Sequence, residues 1–295
     1  MFGRRKTRWK TMLLIVLIIW AVSAVIASFF STETGNVSQI PITGVIRANS
    51  ETGYFKEKVT SSDEVVELIE KADKNPLIKA IILEINSPGG SAVASDEIAR
   101  AVKDAEKPVV AWIRESGASG AYWVASSSDY IVANRMSITG SIGVISSYLE
   151  FSGLLQDYNV SYQRLVAGEH KDIGSPFRKL SDEEKEIFQE YLDKVHEFFI
   201  ESVKENRNLS DEQVKKIRDG RFFLGAEAKE LGLVDELGGK KEVIRYIESR
   251  INETAVIKKH EKKKSFFEMI LESSSPKTTF FGKDLISRDN SLIIT

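Results

Sequence analysis

A chain of 295 residues, 42% apolar and 28% charged, has ample material for a buried core, which excludes whole-chain disorder. Its 41 Lys and Arg against 43 Asp and Glu leave a net charge of -2, so there is no electrostatic case for a nucleic-acid partner. With no cysteine, disulfides, thiolate metal sites and a cysteine nucleophile are ruled out, and any histidine chemistry must use His170, His196 or His260.

Residues 1–11 form a basic segment carrying Arg4, Arg5, Lys6, Arg8 and Lys10. Residues 12–30 (MLLIVLIIWAVSAVIASFF) carry no charge and are long enough to span a bilayer as one helix. The preceding cations favour a cytoplasmic N-terminus, which puts the rest of the chain on the extracytoplasmic side of the cell membrane. A cleaved signal peptide is the competing reading, with small residues around Val25-Ile26-Ala27. The apolar core of a signal peptide is ordinarily about 7–15 residues, shorter than this run. Residues 31–37 read as a linker, 38–258 as the folded domain, and 259–295, which open in a basic run, as a flexible tail.

Within the domain, Gln39 to Ile46 suits a strand, and Ser61-x-x-Glu64 opens a helix over Val65, Val66, Leu68 and Ile69. Leu77 to Ile85 is a β-branched run suited to a buried strand; a turn, NSPGGS, and a helix to about Ala105 follow. Pro108 to Ile113 is a further strand, a short helix begins at Ala118 or Ser119, and Tyr130 to Ala133 and Ser141 to Ile145 are strands. Ser181-x-x-Glu184 caps a long helix from Asp182 to Glu205. Its stripe of Ile187, Phe188, Tyr191, Leu192, Val195, Phe198, Phe199 and Val203 serves core packing or a subunit contact. Ser210-x-x-Gln213 opens another helix. Strands alternating with helices predict an α/β fold on a mainly parallel sheet.

Three segments carry candidate chemistry. Asn86-Ser87-Pro88-Gly89-Gly90 follows a buried strand, and its adjacent glycines allow positive φ and free amides facing a cavity, as any tight strand-to-helix turn also would. Glu115 to Trp123 (ESGASGAYW) surrounds Ser119 with small residues at a helix start, where free amides can hold an oxyanion. Ser116 is the rival nucleophile, an N-cap serine is the plainer explanation, and the pattern G-x-S-x-A is not the hydrolase elbow. Gly168 to Pro176 (GEHKDIGSP) places His170 and Lys171 in a polar loop.

Together, NSPGG at 86–90, ASGAYW at 118–123, TGSIGV at 139–144, HKDIGSP at 170–176 and DGRFFLGAEAKELGLVDELGG at 219–239 resemble the signal peptide peptidase A family, over roughly residues 38–250. The resemblance implies a serine peptidase with a Ser-Lys dyad, needing no cofactor or metal. It implies a ClpP- and crotonase-like spiral of β-β-α units, preceded here by the transmembrane helix. Assembly into a homo-oligomeric ring is implied too, with apolar signal-peptide remnants as substrates. Carried over by motif, Ser119 is the nucleophile, Lys171 the general base, Ser141 the partner that aims the lysine, and Gly90 and Gly120 the oxyanion-hole donors. Ala121 and Ser91 stand where the family more often has glycine.

A lysine at its ordinary pKa of about 10.4 is neutral only about once in 2,500 molecules at pH 7, so a lysine base is expected in a poorly solvated site. Asp172 is then expected to point away from the dyad. The rivals are a Ser-His peptidase using His170, a crotonase-like acyl-CoA enzyme, which export opposes, and an inactive relative serving as a membrane-associated scaffold.

Overall fold

The β-branched runs line up as a parallel sheet. In the computed structural model, which describes Trp9, residues 12–20, Ser23, residues 35–49 and residues 59–260, β1 (Val37–Thr43), β4 (Ala80–Ser87), β5 (Val109–Ala118) and β6 (Tyr130–Ala133) lie side by side in that order. β10 (Ile257–Lys259) flanks β1 and β9 (Glu236–Leu237) flanks β6, all parallel to their neighbours. Parallel strands need crossovers, and α2 (Ser62–Lys74), α3 (Ala92–Asp104) and α4 (Gly120–Ser126) supply them. Ser61 caps α2 by accepting from the Glu64 N–H, as the sequence pattern requires. β2 (Val45–Arg47) and β3 (Val59–Ser61) form a small parallel pair of their own.

β5 is the branch point of the sheet. Val110 to Ile113 pair with β6, whereas Ser116 to Ala118 pair with β7 (Ile138–Gly140), on which β8 (Phe222–Leu224) lies antiparallel. Both faces of the central strands are buried. Ile81, Leu83 and Ile85 of β4 pack under α2, α3 and α4, while Ala80 and Ile82 face Val243 and Ile247 of α9 (Lys240–Ile251). Two-sided burial explains why Ala80 to Leu83 are continuously apolar rather than alternating.

The structure departs from the sequence expectations in several places. The strand expected at 141–145 lies at 138–140, because Gly140 and Ser141 take consecutive positive φ values of 76 and 51° and turn the chain out of the ladder. A short helix, α5 (Ser152–Asp157), appears with no buried residue. α6 (Asp182–Arg207) forms with the expected capping box, but only Phe199, Ile200 and Val203 of its apolar residues are buried. Ile187, Tyr191 and Phe198 are exposed, so the stripe serves the core only near its C-terminal end. Lys259, placed in the tail, belongs to β10, and the His260 N–H donates to the Gln39 carbonyl at 2.9 Å; residues 261–295 lie outside the described residues. Residues 12–20 are a helix, α1, with exposed apolar side chains, and most of residues 21–30 lie outside the described residues. Among the described residues no helix is long and apolar enough to cross a membrane.

Candidate active site

Ser119 stands where β5 ends and α4 begins, at φ 54° and ψ -131°. A non-glycine residue held there costs about 1–3 kcal/mol and persists only where its surroundings over-determine it. The surroundings do so. The Ser119 N–H donates to the Gly140 carbonyl at 2.8 Å, and its own carbonyl accepts from the Tyr122 and Trp123 N–H groups at 2.8 and 3.0 Å. Every residue of α4 is buried. The Tyr122 hydroxyl donates to the Leu233 carbonyl at 2.8 Å, and burial pushes its pKa well above the ordinary value. Trp123 stacks on Phe199 of α6 with ring centroids 4.7 Å apart.

Two backbone amides border this serine. Gly120 is the first residue of α4, so its N–H has no acceptor within the helix. Gly90 bridges to Ile46, but the bonds run through the Gly89 carbonyl and the Ser91 N–H, both at 2.9 Å. The N–H of Gly90 is thereby left on the other side of the strand, and its nitrogen lies 3.5 Å from where a Gly120 Cβ would stand. A Cβ on Gly90 would meet the Ile46 carbonyl oxygen at 2.1 Å, and one on Gly120 the Ser95 hydroxyl at 2.2 Å. The first is a backbone atom, so only glycine fits at 90; the second is a side-chain oxygen that would have to turn aside.

A cleft of about 780 Å³ opens over these groups. Gly90, Ser119, Gly120 and Ser141 line it together with Val144 and Ile145, and α6 contributes Leu192, Val195, His196 and Phe199. Ser141 is held by its N–H, which donates to the Arg221 carbonyl at 2.9 Å. Ser116, the rival nucleophile, does not line the cleft, and its hydroxyl donates to the Ser87 carbonyl at 3.2 Å.

Lys171 is not brought to this cleft. It is exposed in a turn-rich segment, so the poorly solvated environment expected for it is not formed among the described residues. The physical reason is that its whole segment is thinly covered, with Ile145 90%, Leu149 72% and Leu165 95% exposed. Asp172 is turned to two arginines and forms no ion pair with Lys171. Its carboxylate pairs with Arg164 and Arg178, and those two guanidinium groups hold it far below the usual carboxylate range. Arg178 also pairs with Glu184, which with help from the Ser181 N–H falls to about 2. His170 lies outside the cleft with its Nε2 4.0 Å from Glu183.

His196, named in the sequence only as one of three histidines, lines the cleft. Its Nε2 donates to the Ile142 carbonyl at 3.0 Å, which fixes the proton on that nitrogen and leaves Nδ1 as an acceptor in the neutral ring. The signal was present: His196 falls on the α6 face defined by Leu192 and Phe199. Among the described residues no cluster of three metal-ligating side chains occurs.

The profile of Peptidase family S49 matches residues 101–253. A putative protease of Methanocaldococcus jannaschii is 37% identical over 206 residues, covering 69% of this chain and 66% of the relative. A putative signal peptide peptidase SppA of Enterococcus faecium is 32% identical over 226 residues, covering 75% and 66%. The match thus spans just under two thirds of either relative's length. Among solved structures, a serine-to-alanine mutant of the 1510-N membrane-bound stomatin-specific protease matches with a TM-score of 0.51 at 15% identity, over 77% of this chain and 98% of that one. At that identity the likeness speaks for the fold alone.

Proposed function

The chain belongs to peptidase family S49, a family of serine peptidases, and from that premise we propose that Ser119 cleaves peptide bonds with Lys171 as its general base. One observation carries the reading: Ser119 is held in a strained backbone conformation at the floor of a cleft of about 780 Å³, beside the amides of Gly90 and Gly120. Lys171 takes the Ser119 proton as the oxygen attacks, and the two amides hold the oxyanion of the tetrahedral intermediate. The ammonium, aimed by the Ser141 hydroxyl, returns its proton to the leaving amine, and water then releases the acyl group. No cofactor enters this sequence.

Val144, Leu192, Val195 and Phe199 supply the apolar part of a lining shared with Gln189, Asp193, Arg218 and Asp219; apolar signal-peptide remnants are the substrate that this part would take, and the Enterococcus relative is named a signal peptide peptidase. Residues 12–30 anchor the chain in the membrane, with the peptidase domain on the extracytoplasmic side and the β-β-α units wound as a ClpP-like spiral. Copies assemble as a ring. Support comes from the exposed Ile145, Leu149 and Leu165 in the segment that carries Lys171: covering that segment desolvates the lysine and brings it to a Ser119 cleft.

His196 favours a second reading, a Ser-His peptidase, because it already lines the cleft with Ser119. Hydrolysis of an apolar fluorogenic peptide by the full chain in detergent, from pH 6 to 10, separates the two. The proposal expects Ser119→Ala and Lys171→Ala to abolish turnover while His170→Ala and His196→Ala keep it. Loss with His196→Ala and retention with Lys171→Ala transfers the base to His196. Retention with Ser119→Ala ends both readings.

A further inference from the structure

Lys171 stands next to Asp172, and a neighbouring carboxylate is the natural partner of an ammonium group. An amine held in such a pair is a poor base. Among the described residues Lys171 forms no ion pair, because Asp172 is engaged elsewhere. Arg164 donates from Nε and Nη2 to its two oxygens at 2.8 Å each. Arg178 donates from Nε and Nη2 to the same two oxygens at 2.9 Å each. Each carboxylate oxygen therefore accepts from both arginines, which uses about all four lone-pair sites a carboxylate offers.

The arrangement extends into the fold. The Asp172 side chain is 15% exposed. Arg178 reaches on to Glu184, 6% exposed, which also accepts the Ser181 N–H at 2.9 Å and so closes the first turn of α6. Arg164 Nη2 further donates to the Glu169 carbonyl at 2.8 Å, clasping the other side of the loop. Two arginines and two acids sum to zero charge. The other titratable groups lining the pocket beside the loop are Glu169 and His170 on the loop itself and Glu183 on α6, and among the described residues none of them pairs with Lys171.

We infer that Arg164 and Arg178 are positioning residues for the proposed reaction: by saturating Asp172 they fix the loop that presents Lys171 and keep the adjacent carboxylate from pairing with its amine. The inference rests on reading Lys171 as the base. A single lysine in place of either arginine would not reproduce the side-on, two-oxygen geometry.

The test is a set of pH–rate profiles for hydrolysis of an apolar fluorogenic peptide, measured on the full chain in detergent. Removing both clamps (Arg164→Gln with Arg178→Gln) frees Asp172 to pair with Lys171. The expected result is an ascending limb moved up by about one pH unit and a kcat near pH 7 lowered about tenfold, with little change in KM. Adding Asp172→Asn to that double variant is expected to return the limb to its wild-type position and to recover part of kcat. A purely structural tether would behave oppositely, since a third substitution in a loosened loop would deepen the loss. A wild-type limb in the double variant, or no recovery in the triple, overturns the inference. Should the double variant fail to fold, Arg164→Gln alone suffices, because Arg164 does not touch Glu184: a smaller upward shift supports the inference and an unchanged limb overturns it. Lys171→Ala, run in parallel, separates the two claims. If it keeps turnover, the base assignment fails and this inference falls with it; if it is inactive while the double variant keeps the wild-type profile, only the clamp is wrong.

Discussion

The proposed nucleophile and the proposed base live in two unlike regions. Around Ser119, residues 80–140 form buried strands and the fully buried α4, and the groups that shape the site are mostly backbone. Around Lys171, residues 145–181 form turns, a short uncovered helix and exposed apolar side chains, held by a network of four charges. The first region is preorganised by packing and has no titratable group in its machinery. The second is ordered locally and leaves its apolar side chains in solvent. The contrast fits a peptidase whose nucleophile is complete in one chain and whose base is not, and it fits electrostatic preorganisation, which costs nothing at the moment of reaction.

The comparison breaks most visibly at Gly90. A Cβ there would lie 2.1 Å from the Ile46 carbonyl oxygen, a backbone atom that cannot swing aside. Gly90→Ala is expected to cost about 3 kcal/mol and to abolish activity, read by denaturant titration and peptide hydrolysis. In the exposed region the same two readouts should separate. Leu149→Glu with Leu165→Glu is expected to leave stability within about 0.5 kcal/mol, because both side chains are already in solvent, while turnover falls at least about tenfold as assembly fails. Full activity in that variant would show that the base reaches Ser119 without a cover.

Acid sharpens the contrast further. Arg178 and the Ser181 N–H depress Glu184 to about 2 from its ordinary 4.5, so the folded state binds its proton less readily than the unfolded state does. A depressed carboxyl contributes stability that is present above its unfolded pKa and is lost as pH falls through the folded value. The contribution should therefore be intact at neutral pH and fade from about pH 4.5 towards about pH 2. Limited proteolysis across that range is expected to open residues 164–184 first in wild type. In Glu184→Gln that opening should already be present at pH 7 and depend less on acid. Simultaneous opening of the β5–α4 junction would contradict the division into two regions.

How far the sequence reaches follows the same division. NSPGG and ASGAYW could be read because an oxyanion pocket made of backbone needs small residues in short local runs, and such runs are visible. The branch in β5 could not be read: nothing in Val109 to Ala118 says that one half pairs with β6 and the other with β7, since the ladder partners are remote. Ser141 hid its conformation, because a serine at φ 51° carries none of the warning that a glycine would. The α6 stripe was legible as a stripe, but which half meets the core depends on where α4 lies, and for that reason His196 stood out no more than the other two histidines. Lys171 was legible by motif only; its solvent exposure is a property of tertiary cover, which no local pattern encodes.

The smallest effect tests the premise beneath the comparison, that strain is stored at the nucleophile and not at the base. Ser119 sits at φ 54° and ψ -131°, where a Cβ is penalised and glycine is at ease. Ser119→Ala and Ser119→Gly both remove the hydroxyl and should be equally inactive. They should differ in stability: the glycine variant is expected to be more stable than the alanine variant by about 1 kcal/mol, the released backbone strain less the extra freedom glycine gives the unfolded chain. At Lys171, an exposed position, alanine should leave stability within about 0.5 kcal/mol of wild type. If Ser119→Gly is no more stable than Ser119→Ala, the backbone at the nucleophile is not strained, and the geometry that singles out Ser119 loses its force. If the gap appears only there, the fold supports a strained turn at the one residue whose oxygen must stand clear of its neighbours, with the amides of Gly90 and Gly120 beside it.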